Sequence, residues 1–224
     1  MYFQFLIEDK STEVLIHHLM SKIKERYPKK DIYYDSKSFK GIGHLKKKGN
    51  LLERKTGHLL NDLKIHLRGF DKRLTYMENA SIFIILDNDT HNTKLFRQEL
   101  ENLAKEAEIL TDYVFCIAIK EMEAWLLGDL MAIEAAYPNI RKSALKHYIQ
   151  DEICDTWEVL ANAIYPNGLN GLRKKAGSSY SEIGKTKIAW ADNIGRFMDL
   201  ENNNSPSFQY FITNLKNRIE SRKE

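Results

Sequence analysis

Six carboxylates stand in three pairs along the chain: Glu8 with Asp9, Asp87 with Asp89, and Glu121 with Glu123. Each pair follows a short apolar run. Oxygens gathered in this way are what a hard divalent cation such as magnesium or manganese takes as ligands. Crowded together without a counter-charge, such acids repel one another and raise each other's pKa values. Asp-Asn-Asp at 87–89 is also ordinary turn and helix-cap chemistry. The pairs therefore amount to a site only if the fold brings them to one place.

The elements that have to do so can be read from the hydrophobic pattern. Residues 81–86, SIFIIL, are almost wholly apolar and uncharged, as a strand buried on both faces must be. A first strand is expected over 2–8, a second over 31–34 and a fourth over 113–119. Between them, Leu15, Leu19 and Ile23 predict a helix over 12–27 with Ser11 as its cap, closed by Pro28. Leu52, Leu59, Leu60, Leu63 and Leu67 predict a helix over 51–67, after a loop at 35–50. A third helix, over 93–108, is expected to turn Leu95, Phe96, Leu100, Leu103 and Ala104 inward. Alternation of this kind predicts an α/β fold, a mainly parallel four-stranded sheet flanked by helices. Parallel strands present their carboxyl ends on one edge, so all three acid pairs are expected to converge there.

After Glu123 the pattern becomes helical, with breaks at Pro138, at 166–168, at Gly177 and at 202–206. Residues 1–123 are thus expected to be an α/β domain and 124–224 a helical extension packed on it, opening with a helix over 124–136. Trp125 reads as a core anchor, Ser205-Pro206 as a helix entry, and Lys185 and Lys187 as a solvated helix start.

The chain has 224 residues and a net charge of +3, too modest to indicate a partner by itself. Its distribution says more: Lys46, Lys47, Lys48, Arg54 and Lys55 crowd one stretch, the footprint of a phosphate backbone or a solvated surface. The two cysteines, Cys116 and Cys154, form no CxxC pair, and Cys116 sits in a strand-like run, a core position. The opening MYFQFLIED has no basic leader and is too short to span a bilayer, so a cytoplasmic protein with no membrane contact is expected.

IEDKSTEVLI, LDND and FCIAIKEMEAWLLGD, together with GHLKKKGNLL and NNNSPSF, resemble a bacterial family of small Toprim-like proteins. EMEAWLLGD is the most specific of these segments. Toprim domains occur in topoisomerases, primases and old-family nucleases. Members of the small family often accompany ATPases in phage-defence loci. The resemblance implies a Toprim-like fold and Mg2+- or Mn2+-dependent phosphodiester chemistry. Glu8 would be acid/base or ligand, Asp87 and Asp89 would hold metal, and Glu121 and Glu123 would join them, with Glu123 favoured. Asp9 stands where many Toprim nucleases have glycine, and Glu13 lies five rather than four positions after Glu8. That leaves open which of Glu8 and Asp9 faces the metal, and whether Glu13 is a ligand.

No tyrosine stands out as a nucleophile, so water is the expected attacker and hydrolysis the expected reaction. The leading expectation is a nuclease acting on DNA or RNA, with Glu8, Asp87, Asp89 and Glu123 catalytic and the 46–55 basic residues binding nucleic acid. The alternatives are a non-catalytic subunit docking on an ATPase or nucleic acid, and a phosphatase acting on a small nucleotide.

Overall fold

The computed structural model describes residues 1–41, 59–88, 91–177 and 179–221. Four strands, β1 (Tyr2–Ile7), β2 (Tyr33–Ser38), β3 (Ala80–Asp87) and β4 (Asp112–Ala118), form one sheet. Its order is β2-β1-β3-β4, and every pairing is parallel. The register sets Ile7 beside both Ser38 and Ile85, and Asp87 beside Ala118, so the strands end nearly level.

Parallel strands need covering on both faces, and the pleat divides the apolar residues between two cores. Phe3, Phe5, Phe83 and Ile85 point to the face carrying α1 (Lys10–Arg26) and the C-terminal helices. Leu6, Ile82, Ile84 and Leu86 point to the face covered by α2 (Leu63–Leu74) and α3 (Thr93–Ala107). This is the helix-flanked parallel sheet that the alternation predicts.

Beyond β4 the described residues contain helices and no strand: α4 (Glu123–Leu127), α5 (Leu130–Ala136), α6 (Thr156–Ile164), α7 (Gly168–Ala176), α8 (Tyr180–Gly195) and α9 (Pro206–Glu220). They share the sheet's core rather than building their own. Phe211 of α9 stacks on Trp125 of α4 with centroids 5.4 Å apart, and it also meets Phe83 at 5.9 Å. Ser205 caps α9 through the Phe208 amide with Pro206 in the first turn, as expected. Among the described residues, no helix is long and apolar enough to cross a membrane.

Some boundaries differ from the sequence expectation, for physical reasons. β2 extends to Ser38, through residues expected to be loop; as an edge strand it needs backbone pairing with β1, not apolar side chains. Of the loop expected at 35–50 and the helix expected over 51–67, residues 42–58 lie outside the described residues; the described helix of the second crossover is Leu63–Leu74, which runs past the expected end. The expected helix over 124–136 breaks at Gly128-Asp129, where Asp129 caps α5 through the Ala132 amide. Gly128 leaves no space for a side chain, since a Cβ there would lie 2.1 Å from Asn203 Oδ1. Leu95 faces solvent rather than the core.

Because one core runs through both halves, Phe211→Ala should destabilise the whole chain, by about 3–5 kcal/mol. Urea unfolding followed by circular dichroism and by tryptophan fluorescence should give one coincident, earlier transition. Two separated transitions would mean that the helical half folds on its own.

Candidate functional site

The chain leaves β1 towards β2 on one side, while β3 and β4 lie on the other. The order therefore reverses between β1 and β3, and in doubly wound sheets the crevice at such a point, beyond the carboxyl ends of the strands, is where ligands bind. Glu8 follows β1 and Asp87 ends β3, one on each side of that crevice. They are linked directly: the Asp87 amide donates to Glu8 Oε2 at 2.8 Å. Asn88 is buried beside them, and its Oδ1 has no hydrogen-bond partner among the described residues.

Asp9 has a different task. Its carboxylate accepts from the Thr12 amide at 2.8 Å and from the Ser11 hydroxyl, so Asp9 caps α1 in place of the expected Ser11. Of the two neighbours, Glu8 is the one engaged with Asp87. Glu13 is also committed, accepting from Ser36 Oγ at 2.7 Å, from Ser38 Oγ at 2.8 Å and from Lys10. These contacts tie α1 to β2.

Past β4 the chain turns sharply, with Lys120 in the left-handed region at φ 70°. Met122 is already helical, so the backbone between Glu121 and Glu123 is not extended, and the two side chains diverge. Glu121 Oε2 accepts from Thr156 Oγ1 at 2.8 Å and from the Trp157 amide at 3.3 Å, capping the positive end of α6. Glu123 is 0% exposed and neither of its oxygens has a hydrogen-bond partner among the described residues. Its partner is ionic: Lys187 Nζ lies 3.1 Å from Oε2.

Lys187 corrects the sequence reading. It is not at a solvated helix start but inside α8, its side chain only 18% exposed. It shares the stripe of Ala191 and Ile194, both buried. A lysine on an apolar stripe was the available signal, and Lys185, on the other side of the helix, obscured it.

The charges at this edge affect one another. Burial, then the carboxylates of Glu8 and Asp9, hold Asp87 well above the usual carboxylate range, against the pull of Lys187. Burial pushes Glu123 up to about 7; Lys187 opposes the rise, and Glu121 and Asp9 add to it. Burial alone would lower Lys187, but Glu123, Asp87, Glu121 and Asp9 together raise it above the ordinary lysine value.

The turn bearing Glu121 and Glu123 is held from behind. Ser207 Oγ accepts from Trp125 Nε1 at 2.9 Å and from the Ile119 amide at 3.3 Å. Asn203 Nδ2 donates to the Trp125 carbonyl at 2.8 Å. The EMEAWLLGD and NNNSPSF segments, far apart in sequence, thus dock on each other, and Trp125 is a core residue. Cys116 is a buried free thiol, as its strand position suggested.

An all-oxygen donor set, with a fully buried carboxylate whose oxygens find no hydrogen-bond partner among the described residues, has the chemistry that a hard divalent cation takes. Among the described residues, however, no three metal-binding side chains stand close enough together to hold an ion. Asp89 lies outside the described residues, as do Lys46, Lys47, Lys48, Arg54 and Lys55.

A family profile matches residues 7–216, nearly the whole chain, and takes in all of these positions. The chain belongs to the family described as domain of unknown function (DUF4276). No curated protein and no solved structure matches it significantly.

The raised pKa of Glu123 has a defined sign. Between about 4.5, its ordinary value, and about 7, the folded chain holds a proton that the unfolded chain has released. This group therefore makes stability fall as pH rises through that window. With no divalent ion added, Glu123→Gln should remove that part of the fall when urea midpoints are compared from pH 4 to pH 8. Superimposable profiles of parent and variant would contradict the assignment.

Proposed function

We propose that the chain is a metal-dependent phosphodiesterase acting on nucleic acid, a Toprim-like nuclease that serves as an effector in anti-phage defence beside an ATPase. The observation that carries the chemical part is the contact of Glu8 with Asp87 at the switch point of a parallel sheet, with the Glu123–Lys187 pair near enough to act on the Asp87 charge. The defence setting, the ATPase and a cytoplasmic location rest on the sequence resemblance.

Glu8, Asp87 and Glu123 are the described residues that would hold Mg2+ or Mn2+, with Asp89 two positions after Asp87 in sequence. When bound, the ion would supply Lewis acidity at a phosphoryl oxygen. Around it, the Asp87 amide orients Glu8, and the cap on α6 keeps Glu121 turned aside. Lys187 brings a fixed positive charge from a largely dry position, where it stabilises charge developing on phosphate oxygens more strongly than it would in water. No tyrosine is among the residues gathered at this edge, so the attacking group is water, activated by a neighbouring carboxylate. The basic residues between Lys46 and Lys55 would grip the polymer backbone.

A second reading has an observation of its own. Among the described residues, which do not include Asp89, the acids form no ready-made ligand triad, and a chain that docks on an ATPase or nucleic acid without chemistry needs none.

Two measurements separate the readings. Purified protein, alone and with its ATPase, should cleave DNA or RNA only with Mg2+ or Mn2+, and Asp87→Asn should lower the rate at least a hundredfold. Nucleic-acid binding without cleavage under any of these conditions would favour the docking reading. Manganese should also stabilise the fold by about 2.7 kcal/mol at a hundredfold excess over its dissociation constant. Asp87→Ala should abolish that thermal shift, and an unchanged shift would remove Asp87 from the ligand set.

Replacing Lys46, Lys47 and Lys48 together with alanine should weaken nucleic-acid binding and flatten its salt dependence. Each lost phosphate contact should reduce the log–log slope by roughly 0.7 to 0.9. An unaltered slope would make the run a plain solvated surface.

A further inference from the structure

Lys187 meets Glu123 from α8, and α8 packs along α1 through a seam of specific contacts. On α1, Leu15, His18 and Lys22 follow the spacing of one helical stripe; Asp192 and Gly195 of α8, with Arg196 at its C-cap, do the same. His18 Nε2 and Asp192 Oδ1 are 2.8 Å apart, and Arg196 pairs with the other oxygen of Asp192. Lys22 Nζ donates to the Arg196 carbonyl at 2.8 Å. Gly195 lets the helices approach, because a Cβ there would lie 3.1 Å from His18 Cδ2 and 3.2 Å from Leu15 Cδ1.

The two helices run in the same direction away from the acids. At 1.5 Å per residue, Asp9 to His18 spans about 14 Å on α1, and Lys187 to Gly195 about 12 Å on α8. A seam locked at His18 and Gly195 therefore brings Lys187 level with the start of α1, where Glu8 and Asp9 stand. A slip of one turn, 5.4 Å, would carry its ammonium out of reach of Glu123.

We propose that His18, Asp192 and Gly195 are positioning residues that hold Lys187 in the acid site by fixing α8 against α1. This deepens the nuclease reading and rests on it only for the effect on catalysis. None of the three takes part in the chemistry itself.

The direct readout is the energetic coupling between Lys187 and Glu123, from a double-mutant cycle of Lys187→Met and Glu123→Gln. It is measured by denaturant unfolding in the parent and in the Asp192→Ala and Gly195→Val backgrounds. The coupling constant should fall at least fivefold in both backgrounds. Asp192→Asn, which keeps an oxygen for His18, should restore it to within twofold of the parent. If the full chain cleaves nucleic acid, kcat should fall about tenfold in Asp192→Ala with KM little changed.

A lower melting temperature with the coupling intact would make the seam mere helix packing and overturn the proposal. Gly195→Val has the larger risk of misfolding, and Asp192→Ala then decides alone. If the parent cleaves nothing, the nuclease reading fails, while the coupling still judges the seam.

Discussion

The ion pair of Glu123 and Lys187 is the constraint on which the site depends. A carboxylate with no exposed surface and no hydrogen bond among the described residues is costly unless a positive charge stands beside it. Lys187 meets that need from a helix more than sixty positions later in the chain. Removing one partner of a buried pair typically costs 3–5 kcal/mol, because the other charge is left stranded. The chain therefore has to deliver both side chains to the carboxyl edge of the sheet, and much of the C-terminal half can be understood as the means of doing so.

Two sets of contacts accomplish this. The Asn203–Ser207 segment grips Trp125 and the Gly128 turn from behind, which fixes Glu123 at the start of α4. The α1–α8 seam fixes Lys187. Both sets belong to the same core as the sheet, since Phe211 joins Trp125 to Phe83 and Phe5. The helices after β4 thus bring a lysine to an edge where the strands of the sheet place acids.

The parallel sheet and the level of its acids were legible in the sequence because they follow from local signals: apolar runs of strand length, helical stripes between them, and acids just past the ends of the runs. What was not legible depended on contacts between distant segments. The later part of β2, residues 35–38, carries no apolar pattern, because an edge strand is held by backbone pairing with β1. The break at Gly128 is set by Asn203, and the diversion of Glu121 by the start of α6. Asp9 and Glu13 have the composition of ligands, yet Asp9 is occupied with capping α1 and Glu13 with holding β2. Lys187 could be found only by asking why a lysine falls on a buried stripe, since nothing near it in sequence names Glu123 as its partner.

The proposal at the centre is that a divalent cation draws Glu8, Asp87 and Glu123 into one ligand set with Lys187 beside them. Anomalous scattering from crystals of the full chain soaked in manganese tests it most directly. A manganese peak is expected at the carboxyl edge between β1 and β3, within ligand distance of all three carboxylates and with the Lys187 ammonium adjacent. Manganese bound elsewhere, or no peak at saturating concentration with the Glu123–Lys187 pair undisturbed, would contradict it.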